Sequence, residues 1–345
     1  MPAIVALAGR GAARRQAAAP LCGDQGPAPL CDDRERPARG RGGPAGGMGG
    51  HVSLAEALAD WRPGTAEITR RVDPWPAAAF AGLTGAPEPP LADGDPLPPL
   101  WHWFTAIDHP STAATGADGH PADGPFLPPV PGRRRMFAGG RLTCRAPIPV
   151  GSLLHARSSV AGVTVKPGRS GELAFVTVRT ELRADGVLAA TEEQDIVYRS
   201  EPPGTAPRAL ARPAAGGPDL TGDWRSELAT DPVLLFHFSA LTYNGHRIHY
   251  DRPYATGTEG YPDLVIHGPL LALLALDLPR VHAPGAVVRS FRYRLARPAF
   301  VPATIVAVAS PASTASPASV AAGGLDLTVG ARWAAPSLTA RAELA

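Results

Sequence analysis

HGPLLALLALDL, residues 267–278, is apolar on nearly every side of a helix. It is too short for the ~18 apolar residues of a membrane span and is interrupted by Asp277, so it reads as a core helix enclosed by its own domain. Working outward, Val287–Leu295, Thr304–Ala309, Gly324–Trp333 and Leu338–Leu344 read as strands, and Val233–Phe238 as one before the helix. In the first half, Arg141–Ala146, Leu153–Val165, Glu172–Arg183 and Val187–Arg199 alternate apolar with polar residues. The turn signals KPGRSG and ADG separate them, which predicts an antiparallel meander. Ser53 with Glu56 is a capping box, and Asp73 followed by Pro74 opens a second short helix. Leu100–Ile107, LWHWFTAI, is apolar enough to be buried, and Thr112–Pro131 reads as a polar Gly/Pro loop.

Two units that each combine helix with antiparallel sheet suggest an internal duplication, although the halves share little sequence. A sheet wrapped around one long buried helix is the hot-dog arrangement, so the expected fold is α+β, a double hot dog. The expected organisation is a disordered tail over 1–50, an N-terminal unit over 51–205, a linker over 206–222 and a C-terminal unit over 223–345. The tail holds 28 Ala, Gly or Pro, too little apolar surface to offset its ordering entropy. Met48, at its end, is a candidate start of translation.

Of the 33 basic residues only Lys166 is lysine, the mark of a GC-rich genome. The tail carries seven Arg against four acids, so residues 51–345 sum to 26 − 27 = −1. A near-neutral body lacks the basic stripe of a nucleic-acid binder. Three cysteines, Cys22, Cys31 and Cys144, make no disulfide framework, which fits a reducing compartment. The apolar stretch Ala3–Ala8 precedes the first arginines, the reverse of a secretory signal. The expectation is a cytoplasmic protein without membrane or nucleic-acid partners.

The densest polar cluster is FSALTYNGHRIHYDRPYA, residues 238–255, holding Asn244, His246, Arg247, His249, Tyr250, Asp251 and Arg252. Three readings compete. His246, His249 and Asp251 are a metal set without further ligands at standard spacing. The charges are a solvated loop. Or the loop feeds acid/base groups into a pocket beside the apolar helix.

The third reading is favoured by resemblance. The segment resembles the hydratase motif of the MaoC-like (R)-specific enoyl-CoA hydratases, whose Asp and His stand five residues apart; here those positions hold Asn244 and His249. SALTYNGHRIHYD is closer to the subgroup of type 2 hydroxyacyl-thioester dehydratases and mesaconyl-CoA hydratases. EGYPDLVIHGPLLALLALDL (259–278) is similar to the family's central-helix segment, and RRRMFAGGRLTCRAPIPVGS (133–152) to its N-terminal half. The resemblance implies a hydro-lyase adding water to an enoyl-CoA thioester, with coenzyme A part of the substrate and no separate cofactor or metal.

It also implies roles. His249 performs the proton transfers, Asn244 orients water or substrate because an amide is no base, and the Gly268 N–H at the helix start faces the thioester oxygen. Arg247 and Arg252 are candidates for a distal carboxylate of a branched dicarboxylyl-CoA such as mesaconyl-CoA or itaconyl-CoA. Arg133 and Arg134 are candidates for coenzyme A phosphates, and His267 for the substrate-side turn into the helix. His246 reads as structural, His102 as core, and the N-terminal half as a degenerate unit forming pocket wall. A fatty 3-hydroxyacyl-thioester dehydratase, a thioesterase and a non-catalytic thioester-binding protein remain alternatives. Monomer and homodimer are both compatible with the duplication.

Overall fold

The computed structural model describes residues 53–85, 91–130, 132–168, 171–200, 209–214, 216–311 and 323–345. The expected disordered tail, with Met48, lies outside them. Ten strands form one antiparallel sheet: β1 (Thr65–Arg71), β2 (Arg133–Cys144), β3 (Leu153–Gly168), β4 (Gly171–Ala184), β5 (Val187–Ser200), β6 (Trp224–Thr230), β7 (Val288–Leu295), β8 (Ala303–Pro311), β9 (Gly324–Ala331) and β10 (Leu338–Leu344). Their spatial order is β1-β3-β4-β5-β2-β7-β10-β9-β8-β6. Replacing each strand of the first half by the one five later reproduces the second half in mirror order. The halves therefore meet where β2 pairs with β7, Arg141 opposite Arg292. Arg141 is neutralised there by Glu193 and Asp195 on β5, which removes the like-charge penalty of that pair. This is the double hot dog.

The helices are α1 (Leu54–Ala59), α2 (Pro74–Thr84), α3 (Pro232–Leu241), α4 (Arg252–Gly257) and α5 (Gly268–His282). Helix α5 is the expected apolar one; Leu270 to Leu276 and Leu278 are all buried, and it packs on β6 to β10. Ser53 and Glu56 form the capping box, and the Asp185-Gly186 turn between β4 and β5 takes positive φ at both residues, the type I′ geometry that suits a hairpin.

Three elements differ from expectation. Val233–Phe238 lies in helix α3: Asp231 accepts from the Leu234 N–H, Pro232 starts the turn, and Leu234, Leu235, Phe238 and Ser239 face the core at helical spacing. Helix α2 opens the same way, with the Asp73 side chain accepting from the Trp75 N–H, so the duplication is marked by a repeated Asp-Pro. Strands β1 and β6, absent from the sequence reading, are the two sheet edges; Glu67 of β1 pairs with Arg157 of β3, and Arg225 pairs with Glu227 along β6 itself.

The N-terminal unit has no counterpart of α5 among its described residues. Its sheet is filled by Phe80 of α2 and by the 3-10 turn Trp101–Phe104. Phe80 lies 4.9 Å from Phe104 and 6.2 Å from Phe238 of α3, so one aromatic cluster joins the halves. In the same turn His102 Nε2 meets Glu192 Oε2 at 2.7 Å, and Trp103 donates to Glu192 Oε1 at 2.9 Å. Removing one partner of such a buried pair leaves a charge without compensation. His102→Leu should therefore cost about 3–5 kcal/mol in urea unfolding, and His102→Leu with Glu192→Leu should recover most of it.

Candidate active site

The polar loop after α3 is built by local bonds. Tyr243 turns the chain with φ 49°, the Asn244 N–H donates to the Ser239 carbonyl, and Asn244 Oδ1 accepts from the His246 N–H. Asn244 has thus spent its side-chain acceptor on the turn, leaving its NH₂ donors for other work. A 3-10 turn, Arg247–His249, then carries His249 into the interior, where its side chain is buried.

The geometry of His249 decides its chemistry. Nδ1 lies 2.7 Å from the Val265 carbonyl oxygen, which can only accept, so Nδ1 carries the hydrogen and Nε2 keeps its lone pair. Nε2 has no hydrogen-bond partner among the described residues. Burial lowers the ring's pKa to about 4, more than the Val265 bond raises it. His249 is therefore an uncharged base at neutral pH.

His267 stacks on it, centroids 3.7 Å apart and planes 17° apart. It is fully buried, Nε2 meets Ser239 Oγ at 2.9 Å, and burial with the neighbouring His249 and His246 holds it well below the usual imidazole range. His267 hydrogen-bonds locally at the turn into the helix and stands behind His249 as a shelf tying α3 to α5. Phe238 packs on it at 4.8 Å, so the inter-unit aromatic cluster ends against the site.

Gly268 is the first residue of α5, and its N–H, an orphan of the helix start, has no acceptor among the described residues. A Cβ here would meet Leu295 Cδ1 at 2.6 Å and Phe137 Cδ1 at 3.4 Å. A side chain here would have to displace the end of Leu295, where β2 and β7 close on the helix start.

The arginines expected to hold substrate are already committed. Arg247 Nη2 is 2.8 Å from Asp251, its Nη1 donates to the Ala117 carbonyl, and its guanidinium lies over the Tyr254 ring. Arg252 pairs with Asp263 at 2.8 Å on the surface. Arg133 donates to the Pro128 and Ala122 carbonyls, and Arg134 pairs with Glu259. Each of the four thus has protein partners of its own. Asp251, which also caps α4, is held by Arg247, so the His246, His249 and Asp251 metal reading does not converge.

Arg135, next in the run, is exposed and has no ion-pair partner among the described residues. It lies close enough to His120 and His246 to oppose their protonation. Two residues on, Phe137 reaches Gly268, and residues i and i+2 of a strand share a face.

Sequence reasoning missed two residues, Asp118 and His120 of the Thr112–Pro131 loop. His120 Nδ1 is 3.1 Å from Asp118 Oδ2, and its ring packs on His246 with centroids 4.0 Å apart. His246 in turn stands 5.4 Å from His249. The only sequence signal was Asp-Gly-His-Pro in a stretch without periodicity.

Comparisons with known proteins give the family and the fold. Residues 100–301 match the family hydroxyacyl-thioester dehydratase type 2. The chain is 46% identical over 223 residues to the mesaconyl-C(4)-CoA hydratase of Chloroflexus aurantiacus, covering 65% of this chain and 78% of that one. Among solved structures, the MaoC-like dehydratase of Phytophthora capsici shares the fold with a TM-score of 0.59 at 16% identity, over 85% of this chain and 99% of that one. HtdX of Mycobacterium tuberculosis does so with a TM-score of 0.54 at 20% identity, over 81% and 99%.

Gly268→Ala tests the site's packing. It should lower the melting temperature by several degrees and activity by at least tenfold, read by calorimetry and thioester turnover.

Proposed function

The chain belongs to the hydroxyacyl-thioester dehydratase type 2 family, and from that premise we propose that it is a hydro-lyase adding water to a branched dicarboxylyl-CoA of the mesaconyl-C(4)-CoA type. The observation that carries the reading is His249, its Nδ1–H fixed on Val265 and its Nε2 without a partner among the described residues, stacked on His267, the residue before Gly268.

His249 Nε2 takes a proton from water while the oxygen bonds to C3 of the enoyl group. The π electrons of C2=C3 move towards the thioester oxygen, where the Gly268 N–H and the positive end of α5 stabilise the charge. His249, a strong acid once protonated because its pKa is held at about 4, returns the proton to C2. One water is added and the base is regenerated. The reverse sequence dehydrates the 3-hydroxyacyl thioester.

Two observations support the dicarboxylyl substrate: the 46% identity to the Chloroflexus hydratase, and Arg135 as an uncommitted cation on the strand that reaches Gly268. A mesaconyl-C4 thioester carries its carboxylate on the carbon that receives water, where a guanidinium can pair with it.

The test follows enoyl absorbance and thiol release with mesaconyl-C(4)-CoA and crotonyl-CoA. Hydration without thiol release is expected; thiol release would mean a thioesterase. His249→Gln should lower kcat by ~10²–10⁴ with the fold intact, and near-normal turnover would refute the mechanism. Because the base works unprotonated, kcat/KM should stay level through neutrality and fall only as pH drops towards about 4. A limb at the ordinary histidine value would contradict the buried base. Arg135→Met should penalise mesaconyl-C(4)-CoA at least tenfold more than crotonyl-CoA; equal losses would assign Arg135 to the coenzyme A moiety.

A further inference from the structure

The C-terminal loop supplies a base, but position 244, five residues before it, is an asparagine whose oxygen is bound to the His246 N–H, and Asp251 is held by Arg247. Another carboxylate is present, on the other unit. Asp118 Oδ1 accepts from the His120 N–H at 3.0 Å and Oδ2 faces His120 Nδ1 at 3.1 Å, so Asp118 fixes the imidazole twice. The remaining nitrogen of His120 has no hydrogen-bond partner among the described residues, and neither ring nitrogen of His246 has one.

The loops that carry these residues are clamped together. The Arg247 N–H donates to the Asp118 carbonyl at 2.9 Å, and Arg247 Nη1 to the Ala117 carbonyl at 3.0 Å. Gly119 and Gly245 touch backbone to backbone; a Cβ on Gly119 would collide with the Gly245 carbonyl, and one on Gly245 would lie 2.7 Å from the Gly119 oxygen. Only glycine fits at either place. That contact presses His120 onto His246, and His246 stands at 87° to the His249 ring.

We propose that Asp118 and His120, supplied by the N-terminal unit, are positioning residues of the proton-transfer site: they lock His246 beside His249, where an unprotonated ring nitrogen of His246 accepts the second hydrogen of the attacking water. The inference rests on the hydro-lyase reading and adds no proton step. Water gives one proton to His249 Nε2, its oxygen bonds to C3, and the same proton goes to C2. His246 only aims the oxygen lone pair.

The surrounding charges suit an acceptor. His246 faces Asp118 and His120 from the N-terminal loop, Arg135 from β2, His249 from the 3-10 turn and, beyond that ring, His267. Glu259, paired with Arg134, acts on His120. Burial, with His120 and His249, pushes the His246 pKa far down, and Asp118 opposes this only in part. At Asp118, burial works to raise the carboxyl pKa, but the bonds and charge of His120 outweigh it and the group stays ionised.

One donor atom each from Asp118, His120 and His246 lies within 4.8 Å of the others, a spacing that invites a divalent ion. The rings decide against it. Imidazoles sharing an ion point their edges at it, whereas these two overlap at 4.0 Å with planes 37° apart.

The test uses the full chain and crotonyl-CoA hydration. His246→Phe keeps the stack on His120 but removes the acceptor, so kcat should fall ~100-fold with KM within twofold and the melting temperature within a few degrees. His246→Gln, which restores an acceptor, should recover part of the loss. Asp118→Asn and His120→Phe should each lower kcat about tenfold, and neither should lower it further in a His246→Phe background, because both act through that ring. Additive losses, or His246→Phe turning over at the wild-type rate, would overturn the inference while leaving the hydro-lyase reading intact. A wild-type chain that hydrates neither thioester would overturn both. Stimulation by zinc, or loss of activity after EDTA dialysis, would assign the trio to an ion and overturn the inference.

Discussion

The hydrogen bond from His249 Nδ1 to the Val265 carbonyl fixes the tautomer on which the site depends, and much of the fold serves to hold it. Val265 lies in the segment that leads into α5, where the Val265 N–H returns a bond to the Ile248 carbonyl and the Ile266 N–H donates to Ala299. That segment is placed by α5, and α5 is placed because its leucines have no exposed face available once the sheet closes on it. In a wet site the same imidazole would have its ordinary pKa and exchange tautomers. Buried against His267, it becomes a base of fixed direction.

The duplication explains why one half carries the base and the other does not. In the C-terminal unit α5 fills the sheet and brings a helix start, with its unpaired N–H, to the active loop. In the N-terminal unit the space is filled by Phe80, Trp101 and Phe104, and a buried Glu192 is held by His102 and Trp103. Without a long helix there is no equivalent helix-start N–H beside the loop among the described residues. The first unit contributes instead through loop 112–131, whose Gly119 meets Gly245. Each unit alone would expose the β2 or β7 edge and half of the loop pair.

What the sequence made legible followed from local physics. The period of two marked β3, β4 and β5, the strands after α5 stood out as candidates, and the all-round apolar pattern marked α5. The edge strands escaped because Thr65–Arg71 and Trp224–Thr230 carry polar residues on both faces. Helix α3 escaped because VLLFHF reads equally as a buried strand; the Asp-Pro before it was the arbiter. Asn244 and His249 were singled out through a motif of fixed spacing, and Gly268 through the resemblance of residues 259–278. The Arg247–Asp251 pair was legible in its i+4 spacing, that of a helical ion pair, but was not read from it. Asp118 and His120 had no local signal, because their role depends on a loop that is distant in sequence and adjacent in space.

The central claim is that His249 is a neutral Nδ1–H imidazole whose Nε2 lone pair does the chemistry. Nitrogen-15 NMR of the histidine-labelled chain, assigned with His249→Gln, reads this directly. The account predicts a protonated Nδ1 and a bare Nε2 from pH 5 to pH 8, with protonation only as pH falls towards about 4. A hydrogen on Nε2, or a ring that titrates near the ordinary histidine value, would contradict it.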